Sequence, residues 1–233
     1  DVNEVWLVDG TVRRPVDTWS PAVHALLGHL DGRGAPRFVG FDEEGRERLE
    51  FVEGEAASGE EDVMEELGAL LRRLHEAQAG FARPAGVRWF FENEGPIVCH
   101  NDLFPPNVIL RDGLPVALID WDLAAPGEPL DDVASAAYHW APLKAEAGPT
   151  LELRGRRLRE LCDGYGLEPA DRSQLLDVTI AQRDRGYELH ARLGGTERLP
   201  GWREMWDGGS GERIRANQRW IVEQREELES WLV

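Results

Sequence analysis

Cysteine is scarce in this chain of 233 residues. The two cysteines, Cys99 and Cys162, cannot supply a disulfide framework, and Cys99 lies in an apolar run that is typical of a small core residue. Long apolar runs are missing too. No segment is long enough to span a membrane and no signal peptide opens the sequence, so we expect a cytosolic protein that does not insert into a membrane.

Basic residues are also in short supply. The 26 Lys and Arg residues are outnumbered by 44 Asp and Glu residues, which gives a formal net charge of −18. Nucleic-acid binding depends on neutralising phosphates with Lys and Arg, so nucleic acid is not an expected partner. A negative field attracts cationic small molecules, although simple solubility explains most of these carboxylates. The hydrophobic content of 42% suffices for one large domain or for two small lobes with a shared cleft.

The most informative stretch is residues 100–107 (HNDLFPPN), which is followed by IDWD at residues 119–122. Two apolar runs flank the turn Arg111-Asp112-Gly113, and this pattern predicts a β-hairpin. Paired strands lie about 5 Å apart. Asn107, before the first strand, and Asp120, after the second, should therefore face the same small volume, with Asp102 one tight loop upstream.

Amide and carboxylate oxygens suit Mg²⁺, which usually keeps positions for substrate phosphates. A further carboxylate just outside the metal shell can accept a proton from an attacking hydroxyl. Taken singly, Asp102, Asn107 and Asp120 are more simply explained as turn or cap residues. Taken together, in this order and spacing, they favour kinase-type phosphoryl transfer.

These residues also carry a resemblance to a known family. The segment resembles the catalytic loop of aminoglycoside phosphotransferases and of the related choline-kinase-like small-molecule kinases. Their pattern is His-Gly-Asp-x-x-x-x-Asn, then Ile-Asp-Trp or Ile-Asp-Phe, then Gly-x-x-x-x-Asp-[Leu/Val]-Ala. The last element stands here at residues 127–134, and the similarity is strongest over residues 98–134. Asn101 stands where Gly is commoner, but no reacting group is missing.

The resemblance implies a set of roles. Asp102 would be the catalytic base, Asn107 and Asp120 would hold Mg²⁺, and Asp132 would brace the catalytic loop. ATP would be the phosphate donor, and the acceptor would be a hydroxyl of a small molecule, with cationic acceptors such as aminoglycosides or amino alcohols included.

The expected fold class is α+β, a bilobal protein-kinase-like fold. Residues 1–53 would form a shortened antiparallel β-rich lobe that binds nucleotide, and residues 54–233 a mostly helical lobe with the catalytic loop and the substrate pocket. By resemblance, backbone groups of Glu50 and Val52 would pair with the adenine edge. Residues 58–61 form a capping box that predicts the start of a helix. Later helices are predicted at 132–140, 151–165, 171–193 and 212–232, with an irregular connector at 194–211.

The nucleotide-binding pattern is incomplete. No glycine-rich loop is visible, and we expect such a loop upstream of Asp1; a degraded nucleotide site is the rival explanation. At the strand that should carry the phosphate-binding Lys, the sequence has Arg13 and Arg14. Alternation places them on opposite faces, so only one can serve. We predict Arg13, because it directly follows the apolar Val12. The helix at 21–30 also lacks the usual carboxylate partner.

Three functions remain open at this point. The first is an ATP-dependent phosphotransferase acting on a small molecule such as an aminoglycoside-like antibiotic, an amino alcohol or a sugar. The second is a non-catalytic nucleotide- or ligand-binding module on the same fold, which the incomplete nucleotide-binding pattern favours. The third, a metal-dependent hydrolase, is weaker because no ligand set for a two-metal site is evident. Asp184 and Glu188 share a helix face and could receive an amine, although a solvated face is the simpler interpretation.

Overall fold

The computed structural model describes residues 5–146 and 148–233. Short antiparallel strands dominate its first part and helices its second. The strands are β1 (Trp6–Val8), β2 (Thr11–Arg14), β3 (Phe38–Phe41), β4 (Glu47–Glu50), β5 (Glu55–Ala56), β6 (Ile97–Cys99), β7 (Val108–Arg111), β8 (Leu114–Leu118) and β9 (Ala125–Gly127). The helices are α1 (Ser20–Leu30), α2 (Met64–Glu76), α3 (Pro129–Trp140), α4 (Leu151–Tyr165), α5 (Pro169–Arg172), α6 (Leu175–His190), α7 (Trp202–Asp207), α8 (Ser210–Glu223) and α9 (Arg225–Glu229).

The first sheet has four antiparallel strands in the order β1-β2-β4-β3. β1 and β2 form the hairpin that the Asp9-Gly10 turn predicts, and both turn residues have positive φ. The apolar side of α1 is fully buried and joins the core that α2 and α4 continue. All of these strands precede residue 53, and β5 then pairs with β7. The chain therefore passes from the first sheet to the second between β4 and β5, and the lobe boundary at residues 53–54 stays a prediction.

The second part is built around the hairpin of β7 and β8. Asp112 and Gly113 at its tip both have positive φ, and the register pairs Val108 with Leu118. β6 pairs with β9 in a separate two-stranded ladder. The loop of residues 100–107 connects β6 to β7. No helix in the described ranges is long and apolar enough to cross a membrane.

Several predicted helix limits are wrong. The Glu61 carboxylate accepts hydrogen bonds from the backbone amides of Ser58 and Gly59, but it closes a local turn, and α2 begins only at Met64. The predicted connector at 194–211 contains α7, and the predicted last helix is divided into α8 and α9 at Gln224. The helix predicted at 151–165 is confirmed as α4.

Glycine allows α2 and α4 to approach each other closely. A Cβ atom on Gly68 of α2 would meet the Leu161 carbonyl, and one on Gly164 of α4 would meet the Glu65 carbonyl. Both positions are therefore restricted to Gly by packing, although Ala is the better helix former.

Replacement of Gly68 by Ala should destabilise the protein. Overpacking typically costs about 1–3 kcal/mol, against a gain of about 1 kcal/mol in helix propensity. The matched control is Gly28→Ala in α1, where a Cβ meets nothing within 4 Å. Urea unfolding should give a lower free energy of unfolding for Gly68→Ala and an equal or higher one for Gly28→Ala. Equal effects of the two variants would contradict this packing explanation.

Candidate active site

The catalytic loop, residues 100–107, is held by one buried carboxylate. Asp132 in α3 accepts the backbone amide of His100 at Oδ2 (2.9 Å) and that of Asn101 at Oδ1 (2.9 Å). His75 of α2 lies 3.1 Å from the same Oδ2, and its other ring nitrogen lies 2.9 Å from the Tyr165 hydroxyl. Asp132 thus has the contacts that its expected bracing role requires, and His75 has a structural role beside it.

The charge on Asp132 is maintained despite its burial. Desolvation alone would raise the pKa of this carboxyl, but the hydrogen bond to His75 and the nearby imidazoles and backbone amides hold it below its ordinary value. At neutral pH the charged Asp132 can therefore accept every hydrogen bond that fixes the loop.

Asn101 can replace the glycine that is commoner at this position of the loop. Its φ is +65°, in the left-handed region that Gly and Asn tolerate best. Its side-chain amide also donates to the carbonyls of Leu123 (3.0 Å) and Cys99 (3.3 Å). Asn therefore supplies the required backbone conformation and adds two contacts that Gly lacks.

Asp102 and Asn107 contact each other across the loop. The Asn107 amide nitrogen donates to the Asp102 carbonyl and to its Oδ2, both at 3.0 Å. Burial raises the pKa of Asp102, and the neighbouring Asp120 carboxylate raises it further, while His100 and Asn107 oppose the shift. A carboxylate with a raised pKa is the better proton acceptor.

A cavity of about 390 Å³ opens beside this loop, between the first sheet and the hairpin. Its lining is mainly apolar and includes Val12, Leu49 and Ile109, while Asn107 and Asp120 lie at its polar end. Asp120 follows β8 with a φ of +61°, and the Ile119 amide donates to the Asn107 carbonyl (2.8 Å). The hairpin thus brings Asn107 and Asp120 to one cavity.

Arg14, and not Arg13, reaches this cavity. Arg14 lies 3.2 Å from Oδ1 of Asp120 and 2.5 Å from Oδ1 of Asp122. Arg13 points the other way, with Asp9 and Asp42 each 3.8 Å from its guanidinium. The prediction that Arg13 faces the cavity is wrong, because Val12 itself lines the cavity and the residue that shares its face in a strand is two positions on.

Glu47 completes the cluster around Arg14. It lies opposite Arg14 in the β2–β4 register, and its carboxylate contacts both the Arg14 guanidinium and Nε2 of His24 in α1. Burial alone would raise the pKa of Glu47, but these two partners hold it below its ordinary value. Sequence reasoning sought a carboxylate in α1 and missed the one on β4. The cross-strand pairing was the signal that would have located it.

The comparisons with known proteins agree with this geometry. The phosphotransferase enzyme family (APH) matches the chain over residues 82–170. The trifolitoxin immunity protein of Rhizobium leguminosarum bv. trifolii is 34% identical over 249 residues, which cover 96% of this chain and 92% of that protein. The chain belongs to the phosphotransferase enzyme family.

Solved phosphotransferase structures share the fold of this family member at low identity. A choline/ethanolamine kinase family protein from Mesorhizobium loti matches with a TM-score of 0.68 and 14% identity, over 99% of this chain and 89% of that one. Amicoumacin kinase in complex with AMP-PNP, Ca²⁺ and Ami matches with a TM-score of 0.66 and 13% identity, over 98% of this chain and 88% of that one. The gentamicin complex of APH(2")-IIa matches with a TM-score of 0.58 and 14% identity, over 94% of this chain and 90% of that one.

The α+β, protein-kinase-like fold is therefore confirmed, and the chain is a small-molecule phosphotransferase. The alternative of a non-catalytic module finds no support in these comparisons. Glu50 and Val52 both line the cavity of this phosphotransferase, but the Glu50 amide already donates to the Arg37 carbonyl (2.8 Å). Glu50 can thus offer a nucleotide at most its carbonyl.

The polar end of the cavity fits a cation that is shared with a nucleotide. The Asn107 amide nitrogen faces Asp102, so its oxygen is left for another partner, and the Asp120 side chain is half exposed. Across residues 5–146 and 148–233, no cluster of three or more His, Cys, Asp and Glu could hold a metal. Asn107 and Asp120 would supply only two ligands to Mg²⁺, so phosphates and water would complete its shell.

The Arg14 and Arg13 variants test which arginine serves the nucleotide site. Arg14→Met should weaken binding of Mg²⁺ and ATP by about ten- to a hundredfold, because a charge-assisted hydrogen bond contributes roughly 1.5–3 kcal/mol. Arg13→Met, in the same strand, should leave the affinity nearly unchanged. Isothermal titration calorimetry on both variants makes the comparison, and the reverse ranking would show that the arginines are assigned the wrong way round.

Asp132 predicts a pH-dependent stability. Because its folded-state pKa is lowered, the carboxylate stabilises the protein above its ordinary pKa and loses that contribution as the pH falls through the lowered value. Asp132→Asn should cost about 3–5 kcal/mol at neutral pH, and the difference from wild type should shrink below about pH 4. Asp207→Asn, at an exposed pair with Arg198, is the control and should change little. A pH-independent loss at Asp132 would argue against the charge.

Proposed function

We propose that this phosphotransferase transfers the γ-phosphoryl group of ATP to a hydroxyl of a small molecule. The observation that carries the proposal is that Arg14, Asn107 and Asp120 line one mainly apolar cavity, while the Asn107 amide donates to the Asp102 carboxylate beside it. An apolar pocket with a few convergent polar groups is the usual form of a small-molecule site. The apolar end would take the base, with the Glu50 carbonyl and the Val52 backbone at its edge.

Each polar residue has a proposed role. Arg14 would bind the phosphates, with its guanidinium oriented by Glu47. Asn107 and Asp120 would hold Mg²⁺, which when bound neutralises charge on the phosphates. Asp102 would position the acceptor hydroxyl and accept its proton, which its raised pKa favours.

Positioning and electrostatics supply most of the rate in such a reaction. The loop is suited to this task, because Asp132 fixes its backbone and Asn107 holds the Asp102 carboxylate from the other side. The reacting group is therefore oriented before the acceptor arrives. We also propose residues 1–53 as the nucleotide-binding lobe and residues 54–233 as the lobe that carries the catalytic loop and the acceptor pocket.

The names of the matched proteins suggest the class of acceptor. One matched structure is a complex with gentamicin, and another is an amicoumacin kinase. The relative is named for immunity to trifolitoxin. We propose a hydroxylated antibiotic-like or toxin-like molecule, ahead of a simple amino alcohol or sugar. Phosphorylation adds about 1.5–2 negative charges at neutral pH, which is a direct chemical route to inactivating such a molecule.

The Asp102 and Asp120 variants separate proton transfer from nucleotide binding. Asp102→Ala should abolish phosphoryl transfer while the dissociation constant for Mg²⁺ and ATP stays close to that of wild type. Asp120→Ala should lose both. ATP consumption against a panel of antibiotics, amino alcohols and sugars measures turnover, and calorimetry measures binding.

Near wild-type turnover of Asp102→Ala with any accepted substrate would remove it as the base. Failure of wild type to bind nucleotide in the presence of Mg²⁺ would contradict the proposed function as a whole.

A further inference from the structure

Three basic side chains form a cluster beside α3 that the proposed roles leave unused. The Arg183 guanidinium of α6 lies 3.8 Å from the ring centre of Tyr138, and the Lys144 ammonium lies 5.4 Å from the same ring. His139 is the neighbour of Tyr138 in α3. Lys144 is the only lysine of the chain. We call Arg183, Lys144 and His139 the basic cluster.

The basic cluster adjoins the catalytic loop. The His139 ring lies 5.5 Å from that of Phe104, two residues after Asp102. The Trp140 indole donates to the Leu103 carbonyl (2.9 Å), which fixes the loop against the end of α3. Arg183 lies close enough to Asp102 for that carboxylate to act on its pKa, although burial lowers this pKa overall. The cluster therefore lies at the end of α3, next to the loop that carries Asp102.

Little negative charge compensates the cluster: burial lowers the pKa of Lys144, and the nearby Glu146 carboxylate opposes this only in part. Within the described ranges, neither Arg183 nor Lys144 forms an ion pair with a carboxylate. Asp184, the next residue in α6, is paired with Arg215, and Asp131 of α3 is paired with Arg185, so both carboxylates are already engaged. Asp184 is thus also an unsuitable site for an amine.

Buried polar atoms without a hydrogen-bond partner point to a missing ligand. In the part of the chain that the structure describes, Nε of Arg183 and Nδ1 of His139 are buried without a hydrogen-bond partner. Burial, together with the nearby Arg183 and Lys144, lowers the pKa of His139 well below its ordinary value, so this ring stays neutral. Buried charges and donors are normally paired, because leaving them unpaired is costly. Contact with an aromatic face compensates a cation only in part.

We infer that the acceptor carries an anionic group, a carboxylate or a phosphate, which Arg183 and Lys144 bind while the reacting hydroxyl faces Asp102. This inference rests on the proposed function and specifies its acceptor. It reverses the expectation that the net charge of the whole chain suggests, because recognition depends on the local charges beside Asp102. A cationic acceptor would be repelled at this position.

A matched set of sugars tests the inference with the whole protein. Glucuronate, glucose, glucosamine and glucose 6-phosphate present carboxylate, neutral, cationic and phosphate forms of one ring. Calorimetry in the presence of saturating Mg²⁺ and ADP keeps the anions away from Arg14. Wild type should bind one or both anionic sugars about tenfold more tightly than glucose, with glucosamine weakest. The two anionic arms distinguish a carboxylate acceptor from a phosphorylated one.

The variants assign any preference to the cluster. Arg183→Met and Lys144→Met keep the apolar stems and should each remove most of the preference for the anionic sugar. Arg185→Met is the control, since that neighbouring arginine is already paired with Asp131, 2.9 Å away, and it should keep the preference. Thermal melting of each variant checks that it is folded, and Lys144→Met keeps the test decisive if Arg183→Met does not fold.

The outcomes separate this inference from the proposed function. ADP binding without any preference for an anionic sugar, or with a preference for glucosamine, would overturn the anionic acceptor and leave the phosphotransferase intact. A preference that survives both cluster variants would also overturn it. If wild type fails to bind ADP, the proposed nucleotide site fails, while the same sugar series without nucleotide still reports on the cluster.

Discussion

The active site depends on one buried carboxylate. Asp132 receives the amides of His100 and Asn101 on its two oxygens, and His75 secures it from α2. This single anion sets the direction of the chain through the left-handed Asn101 and so decides where the next side chain, Asp102, points. The loop itself is too short to have a core of its own. Its precision therefore comes from α3, to which it is also attached through Trp140 and Ser135.

A second electrostatic network joins the first sheet to the hairpin. Arg14 from β2 contacts Glu47 from β4 and the Asp120 and Asp122 carboxylates after β8, and His24 connects Glu47 to α1. Burial would lower the pKa of Arg14, but Asp122, Glu47 and Asp120 together raise it, so the guanidinium is charged at any physiological pH. The side chain proposed to bind phosphate thus also connects the two parts of the structure, which would couple nucleotide binding to their arrangement.

Sequence reasoning succeeded where the chemistry is local. The spacing of Asp102 and Asn107, and the short hairpin that leads to Asp120, are fixed by neighbouring residues. It failed where tertiary structure decides. Which face of β2 points into the cavity depends on the tertiary contacts of Val12, and the sequence does not show these. Glu47 is brought to Arg14 by pairing between β2 and β4, which α1 separates in the sequence. The residues of the basic cluster come from α3, from the segment after it and from α6, so only the fold brings them together. The acidic composition of the whole chain favoured a cationic acceptor, whereas the cluster favours an anionic one.

The most direct test of the proposed nucleotide site is a structure of the protein with Mg²⁺ and a non-hydrolysable ATP analogue. We expect the base among Val12, Leu49 and Ile109, and the phosphates between Arg14 and Asp120, with the terminal phosphate turned towards Asp102. We also expect the Asn107 oxygen and the Asp120 carboxylate to share one metal ion. An analogue bound on the Arg13 and Asp42 face, or phosphates that contact neither Arg14 nor Asp120, would contradict the proposed site.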